Sequence, residues 1–205
     1  MKVSILPIVF CLSLAVYGEQ AGTAPATAWQ SVLLNDKSGR TLWPGGIEQQ
    51  ASAAAQLLKE VVRPASDVGS LVNFSEESSL ELENSTEPDE IAAKLARTGH
   101  HATRLYDALV SGAEWLAKQE SSDKRKLIFV FSDGDDNASQ TSLPETIAAL
   151  QRALIPVIVV APSVVEHKPQ GKNLRQLATR TGGHAYFLHQ NQDFDFVLIK
   201  RDLAR

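Results

Sequence analysis

Three short segments of this sequence carry side chains that could do chemistry together. Asn35-Asp36-Lys37-Ser38-Gly39-Arg40-Thr41 follows one apolar run, Ser132-Asp133-Gly134-Asp135-Asp136 follows another, and His101-Ala102-Thr103 stands just ahead of a helical stretch. In an open α/β sheet, the loops that leave the carboxyl ends of the strands gather on one edge. The segments therefore predict two carboxylates, Asp36 and Asp133, converging there with two hydroxyls, Ser38 and Thr103. Hard oxygen donors of this kind suit Mg²⁺, Mn²⁺ or Ca²⁺ and do not suit zinc. Two carboxylates and one divalent cation are together nearly neutral, which leaves an open coordination position free to accept an Asp or Glu from outside.

Other candidate ligands do not group in this way. His100 and His101 are adjacent and cannot share the i, i+4 face that a helical metal pair uses. His167, His184 and His189 have no matching cluster, and surface positions are expected for them. The single cysteine, Cys11, lies in an N-terminal apolar run behind Phe10, where a lipoprotein signal would need a small residue. Three Asn-x-Ser/Thr triplets occur, at Asn73, Asn84 and Asn137, where chance gives about one; a glycan on Asn137 would obstruct the adjacent edge, and glycosylation is not inferred.

The elements that must position these groups are legible in the pattern. Short apolar runs at Ser31–Leu34, Val68–Phe74, Leu127–Phe131 and Ile155–Val160 read as strands, and segments of helical period separate them. Leu127–Phe131 and Val157–Val160 are continuously apolar, as strands covered on both faces require. Val68–Phe74 and Ser79–Glu83, four residues apart, predict a hairpin and hence one antiparallel edge strand. Ile47–Val62 predicts a helix with Pro64 as its stop. Thr86-Glu87-Pro88-Asp89 opens the next, with Thr86 as candidate cap and Ile91 and Leu95 as its buried stripe. Further stripes run through Leu105, Leu109, Ala113 and Leu116, then Ile147, Leu150 and Leu154, then Leu174 and Leu177, and last Phe194, Val197 and Leu198. The expected fold is α/β: a Rossmann-like, doubly wound, mostly parallel six-stranded sheet with one antiparallel edge strand and helices on both faces.

Composition fits one ordinary globular domain. The chain has 205 residues, 43% of them hydrophobic and 21% charged, with a mean hydropathy of -0.13. With 20 Lys and Arg against 24 Asp and Glu, and no basic block, nucleic acid is not an expected partner. Met1-Lys2, the apolar run Val3–Val16 and Tyr17-Gly18-Glu19 read as a signal peptide, residues 1–18, because the run is too short to span a membrane. Residues 19–28 read as a linker and 29–205 as the domain. The expected location is outside the cytoplasm: periplasmic, cell-envelope or secreted. The mature chain would carry no cysteine, which excludes disulfides and thiolate metal sites.

The residues at the sheet edge, taken in order, resemble a von Willebrand factor A (VWA) domain, over roughly Trp29 to Leu203. The likeness is greatest to the VWFA-related type named after Acidobacteria, on Ala102-Thr103-Arg104-Leu105-Tyr106-Asp107-Ala108-Leu109, Phe131-Ser132-Asp133-Gly134-Asp135-Asp136 and Thr181-Gly182-Gly183-His184-Ala185-Tyr186-Phe187. The resemblance implies a binding module rather than an enzyme. Asp36, Ser38, Thr103 and Asp133 would form its metal-ion-dependent adhesion site, and an acidic side chain of a partner protein would complete the coordination. Arg40, Thr41, Trp43, His101 and Asp136 would be the surrounding partner contacts. Arg40 departs from the pattern, standing where the family has a second Ser. It could pair with Asp36 or Asp133, replace the cation and bind a carboxylate as a fork, or Thr41 could supply the missing hydroxyl. A degenerate scaffold without metal is the alternative. A Mg²⁺-dependent aspartyl phosphatase is more remote, because Ser38 stands where that chemistry needs a second Asp. No Gly-x-Ser-x-Gly elbow exists for a Ser hydrolase.

Overall fold

The computed structural model describes residues 28–38, 42–95, 102–120, 123–189 and 196–203, without the side chains of Phe196 and Val197. The signal segment 1–18 and all of 19–28 except Ala28 lie outside the described residues. Six strands are present among those described: β1 (Trp29–Asp36), β2 (Val68–Phe74), β3 (Ser78–Ser85), β4 (Arg125–Phe131), β5 (Val157–Pro162) and β6 (Ala185–Leu188). The helices are α1 (Gly46–Val61), α2 (Pro88–Ala93), α3 (Leu105–Lys118), α4 (Leu143–Arg152), α5 (Pro169–Arg180) and α6 (Phe196–Leu203).

The strands form one sheet in the order β3-β2-β1-β4-β5-β6. All pairs are parallel except β2 with β3. β1 has a strand on each side and helices on both faces, so all eight of its residues are buried. The period of two divides the core. Val32, Leu34, Ile128 and Val130 pack with α3, α4 and α5, while Leu33, Leu127 and Phe129 pack with α1, α2 and Ile199 of α6.

Three local expectations are corrected. Leu154 does not continue the α4 stripe: the helix ends at Arg152, and Leu154 sits in the turn at φ 55 with 86% of its surface exposed. Among the α6 residues whose side chains are described, Ile199 is fully buried and Leu198 is exposed, while Phe194 and the Val197 side chain lie outside the described residues. The residue capping α2 is Glu87 rather than Thr86, and its side chain makes no capping bond; ahead of it the Ser85 hydroxyl accepts the Glu87 N–H at 3.0 Å and donates to the Glu90 carboxylate at 2.7 Å.

β3 is the outermost strand on its side of the sheet and is half-exposed over most of its length. From Glu76 to Glu90 the chain holds seven acidic residues and no basic one. At the opposite end of the sheet, Gly183 passes tightly over the start of β5, where a Cβ would lie 2.0 Å from the Val157 carbonyl oxygen.

Candidate functional site

The strand order reverses between β1 and β4, so the loops leaving these two strands diverge and open a crevice at their carboxyl ends. The pairing of Asn35 with Phe131 brings the two ends level. Asp36 is the last residue of β1 and Asp133 the second after β4, and both are essentially fully buried. Each carboxylate is held by the loop of the other strand as well as by its own. Asp36 Oδ1 accepts the Ser38 N–H at 2.9 Å, and its Oδ2 accepts the Ser132 hydroxyl at 2.6 Å. Asp133 Oδ1 accepts the Asp135 N–H at 3.0 Å, and its Oδ2 accepts the Leu42 N–H at 2.6 Å. Ser132 Oγ in turn accepts the Gly134 N–H at 3.0 Å. Gly134 has φ 79, and a Cβ there would meet Leu174 at 2.8 Å, so the sharp turn that exposes Asp133 to the crevice requires glycine.

Thr103 is brought to the same place from the α3 side. It is 1% exposed, its N–H donates to Asn137 Oδ1 at 3.0 Å, and its carbonyl accepts from the Asn137 and Ala138 N–H groups, both at 3.1 Å. The loop after β4 is tied to the start of α3 in both directions. Asp136 Oδ2 accepts the Tyr106 N–H of the first turn at 2.9 Å and the Ser139 hydroxyl at 2.6 Å. Asp107 accepts the Gln140 and Thr141 N–H groups, each at 3.0 Å, and pairs with Arg104 at 3.1 Å. Acids placed at the N-terminal turn also suit the positive end of the helix dipole.

Electrostatically the crevice is unbalanced. Burial, partly offset by the bonds from Ser132 and Ser38, pushes the Asp36 carboxyl up to about 6, and the negative charge of Asp133 adds to the rise. Burial also raises Asp133, with a further contribution from Asp135. Among the described residues, neither carboxylate takes part in an ion pair. Each of the four carboxylate oxygens accepts at least one hydrogen bond, and the Ser38 hydroxyl also bonds to Asp36. Among the described residues, two buried carboxylates and the hydroxyl-bearing Ser38 and Thr103 on the same edge are oxygen donors of the kind that suits a hard divalent cation.

Asp36, Ser38, Thr103 and Asp133 are thus brought to one edge. Arg40, Thr41 and His101 lie outside the described residues. Trp43 is 5% exposed and stacks on Phe131 at 6.4 Å between ring centroids, which makes it part of the floor. Asp136 is turned towards α3 and engaged there. Sequence reasoning missed Ser132 and a set of buried amides, Gln50, Asn35 and Asn73, beneath the crevice. The signal for Gln50 was a polar residue beside Ala51 and Ala54 in the apolar stripe of α1. Asn73 is 2% exposed with its amide in hydrogen bonds to Asn35 and Lys94, which is incompatible with a glycan.

A family model, the von Willebrand factor type A domain, matches residues 32–199. No curated protein matches the chain. Among solved structures, the conserved hypothetical protein BatB from Bacteroides thetaiotaomicron is similar at a TM-score of 0.65 and 12% identity, over 86% of this chain and 97% of that one. The PilB minor pilin from Streptococcus sanguinis is similar at 0.60 and 15%, over 88% of this chain and 62% of the pilin. A von Willebrand factor type A protein from Catenulispora acidiphila is similar at 0.61 and 16%, over 87% of this chain and 41% of that protein. At these identities the likeness is one of fold.

Proposed function

Given that the chain belongs to the von Willebrand factor type A domain family, whose members generally mediate protein–protein interactions, we propose that its crevice is a metal-dependent binding face for an acidic side chain of a partner protein. The observation that carries this reading is the pair of buried carboxylates at the strand-order reversal, with no cationic partner among the described residues. Asp36, Ser38, Thr103 and Asp133 would hold Mg²⁺, Mn²⁺ or Ca²⁺. The bound ion would supply positive charge and an open coordination position to a partner's Asp or Glu. The residues of this chain orient the donors: Ser132 and the Ser38 amide fix Asp36, the Leu42 and Asp135 amides fix Asp133, and Asn137 fixes the backbone of Thr103. Nothing in this reading makes or breaks a covalent bond, so the domain acts by binding. It would do so outside the cytoplasm, a placement supported by the short apolar run behind Lys2.

A metal-free scaffold is a second reading, favoured by one observation: all four carboxylate oxygens already have a donor within the chain. Thermal melts of the chain in EDTA and then in millimolar Mg²⁺, Mn²⁺ or Ca²⁺ separate the two. An ion bound only by the folded state, at 100 times its Kd, stabilises by about 2.7 kcal/mol, which is several degrees for a domain of this size. A shift that disappears in Asp133→Ala supports the metal site. Absence of a shift with all three ions overturns it and leaves the scaffold.

A further inference from the structure

A row of buried amides runs under the crevice, on the sheet face opposite the one to which Asp36 belongs. Gln50, fully buried in α1, reaches three acceptors with Nε2: Asn35 Oδ1 at 3.1 Å, the Asp36 carbonyl at 2.5 Å and the Phe131 carbonyl at 3.2 Å. Asn35, paired with Asn73 in the β1–β2 register, donates from Nδ2 to Asn73 Oδ1 at 2.8 Å. Asn73 Nδ2 donates onward to the Lys94 carbonyl just past α2, at 3.0 Å.

The carbonyls reached this way are not arbitrary ones. Asp36 and Phe131 are the last residues of β1 and β4, where each strand gives way to the loop that carries Asp36 and Ser38 or Asp133. Just past the end of β2, two positions beyond Asn73, the Ser75 carbonyl accepts the Arg104 N–H at 2.9 Å, next to Thr103. One continuous amide chain therefore links the ends of β1, β4 and β2 with the residue just past α2. A leucine at position 50 would suit the apolar face of α1, but it would leave the buried Asp36 and Phe131 carbonyls without this donor.

We propose that Gln50, Asn35 and Asn73 are positioning residues: their hydrogen-bonded row sets the spacing of the ends of β1, β4 and β2, with Gln50 governing the first two and Asn73 governing the end of β2, on whose Ser75 carbonyl the Arg104 N–H beside Thr103 rests. The inference rests on the metal-binding reading of the crevice, but its decisive test does not need the ion. In the full chain kept in EDTA, amide hydrogen exchange is followed at Ser38 and Asp135, whose N–H groups hold the two carboxylates. Ile128 and Val159 in the central strands report global opening. Gln50→Met keeps length and apolar packing and removes the amide. It is expected to speed exchange at Ser38 and Asp135 at least about tenfold beyond any change at Ile128 and Val159. Asn73→Ser, the milder variant, is expected to speed Thr103 and Arg104 selectively. Loop amides that change only in step with the strand amides, in both variants, overturn the inference. Mn²⁺ titration then adds the functional readout. If the wild type binds Mn²⁺, Gln50→Met should weaken it about tenfold or more in protein that remains folded, and an unchanged Kd counts against the inference. If the wild type takes up no Mn²⁺, the metal reading fails, and exchange alone decides the positioning role.

Discussion

Replacing Asp36 with Asn is expected to make the ion-free protein more stable at pH 7 and, if the proposed metal site operates, to abolish any stabilisation by Mg²⁺. Burial moves the Asp36 carboxyl from 3.8 to about 6, and each pH unit of such a shift corresponds to about 1.4 kcal/mol. Keeping the group ionised in the folded state at pH 7 therefore costs roughly 3 kcal/mol. Asn has the same shape without the charge. It mismatches one hydrogen bond, because the Ser132 hydroxyl donates to Oδ2 and would meet an amide there, at a cost of about 1 kcal/mol. The net gain is about 2 kcal/mol, or roughly 4–8 °C for a domain of this length. Its pH dependence has a definite sign. Below pH 3.8 the wild-type carboxyl is neutral whether folded or unfolded. As pH rises from 3.8 to about 6 the unfolded chain loses the proton first, wild-type stability falls, and the cost is complete above about 6. The advantage of Asp36→Asn should therefore be largest at pH 7 and gone at pH 4. Urea melts followed by circular dichroism in EDTA at pH 4, 5, 6 and 7 measure it directly. A variant less stable than wild type at pH 7, or a difference that does not vary with pH, would refute the reasoning.

Two further outcomes follow from features remote from the crevice. Asp67 is 3% exposed, and its carboxylate accepts the Trp29 N–H together with the backbone and guanidinium N–H groups of Arg63. Burial pulls its carboxyl upward, but these bonds outweigh burial and hold it below the usual carboxylate range. Its contribution is present above pH 3.8 and is lost as pH falls through the lowered value, so Asp67→Asn should cost about 1–3 kcal/mol at pH 7 in urea melts, with the deficit shrinking in acid. An undiminished deficit in acid would contradict this. Gly183→Ala should destabilise by about 2–3 kcal/mol, because the clash at 2.0 Å is with backbone and no rotamer relieves it; a melting temperature equal to wild type would show that the β5–β6 junction shifts freely.

The sheet was legible because its strands are buried on both faces. Leu127–Phe131 and Val157–Val160 could hardly be anything but central, and the hairpin spacing located the antiparallel edge at Ser78–Ser85. That Asp36, Ser38 and Asp133 share one edge was legible because they sit at or just past the ends of β1 and β4, where topology dictates convergence. The supporting shell was much less so. Ser132, Gln50, Asn35 and Asn73 act through partners up to 96 positions away in sequence, and no local period or spacing encodes such pairing. Leu154 failed for a related reason: its apolar character matched the α4 stripe, but the backbone turned at Ala153 before the stripe could reach it. Asp136 was expected among the partner contacts, and its engagement with α3 was not legible because it depends on a loop folding back across 30 residues.

The acidic stretch from Glu76 to Glu90 acquires a role when many copies of the chain share a solution. β3 pairs with β2 on one side only, and an open strand edge is a template on which another molecule could add its own strand. With seven carboxylates and no basic residue in that stretch, two copies meeting edge to edge would bring like charges together along the hairpin. The repulsion discourages self-polymerisation at neutral pH, weakens with added salt, and vanishes once the carboxylates are protonated. The charge of this stretch thus opposes strand addition at the β3 edge, and that local opposition falls away as its carboxylates take up protons.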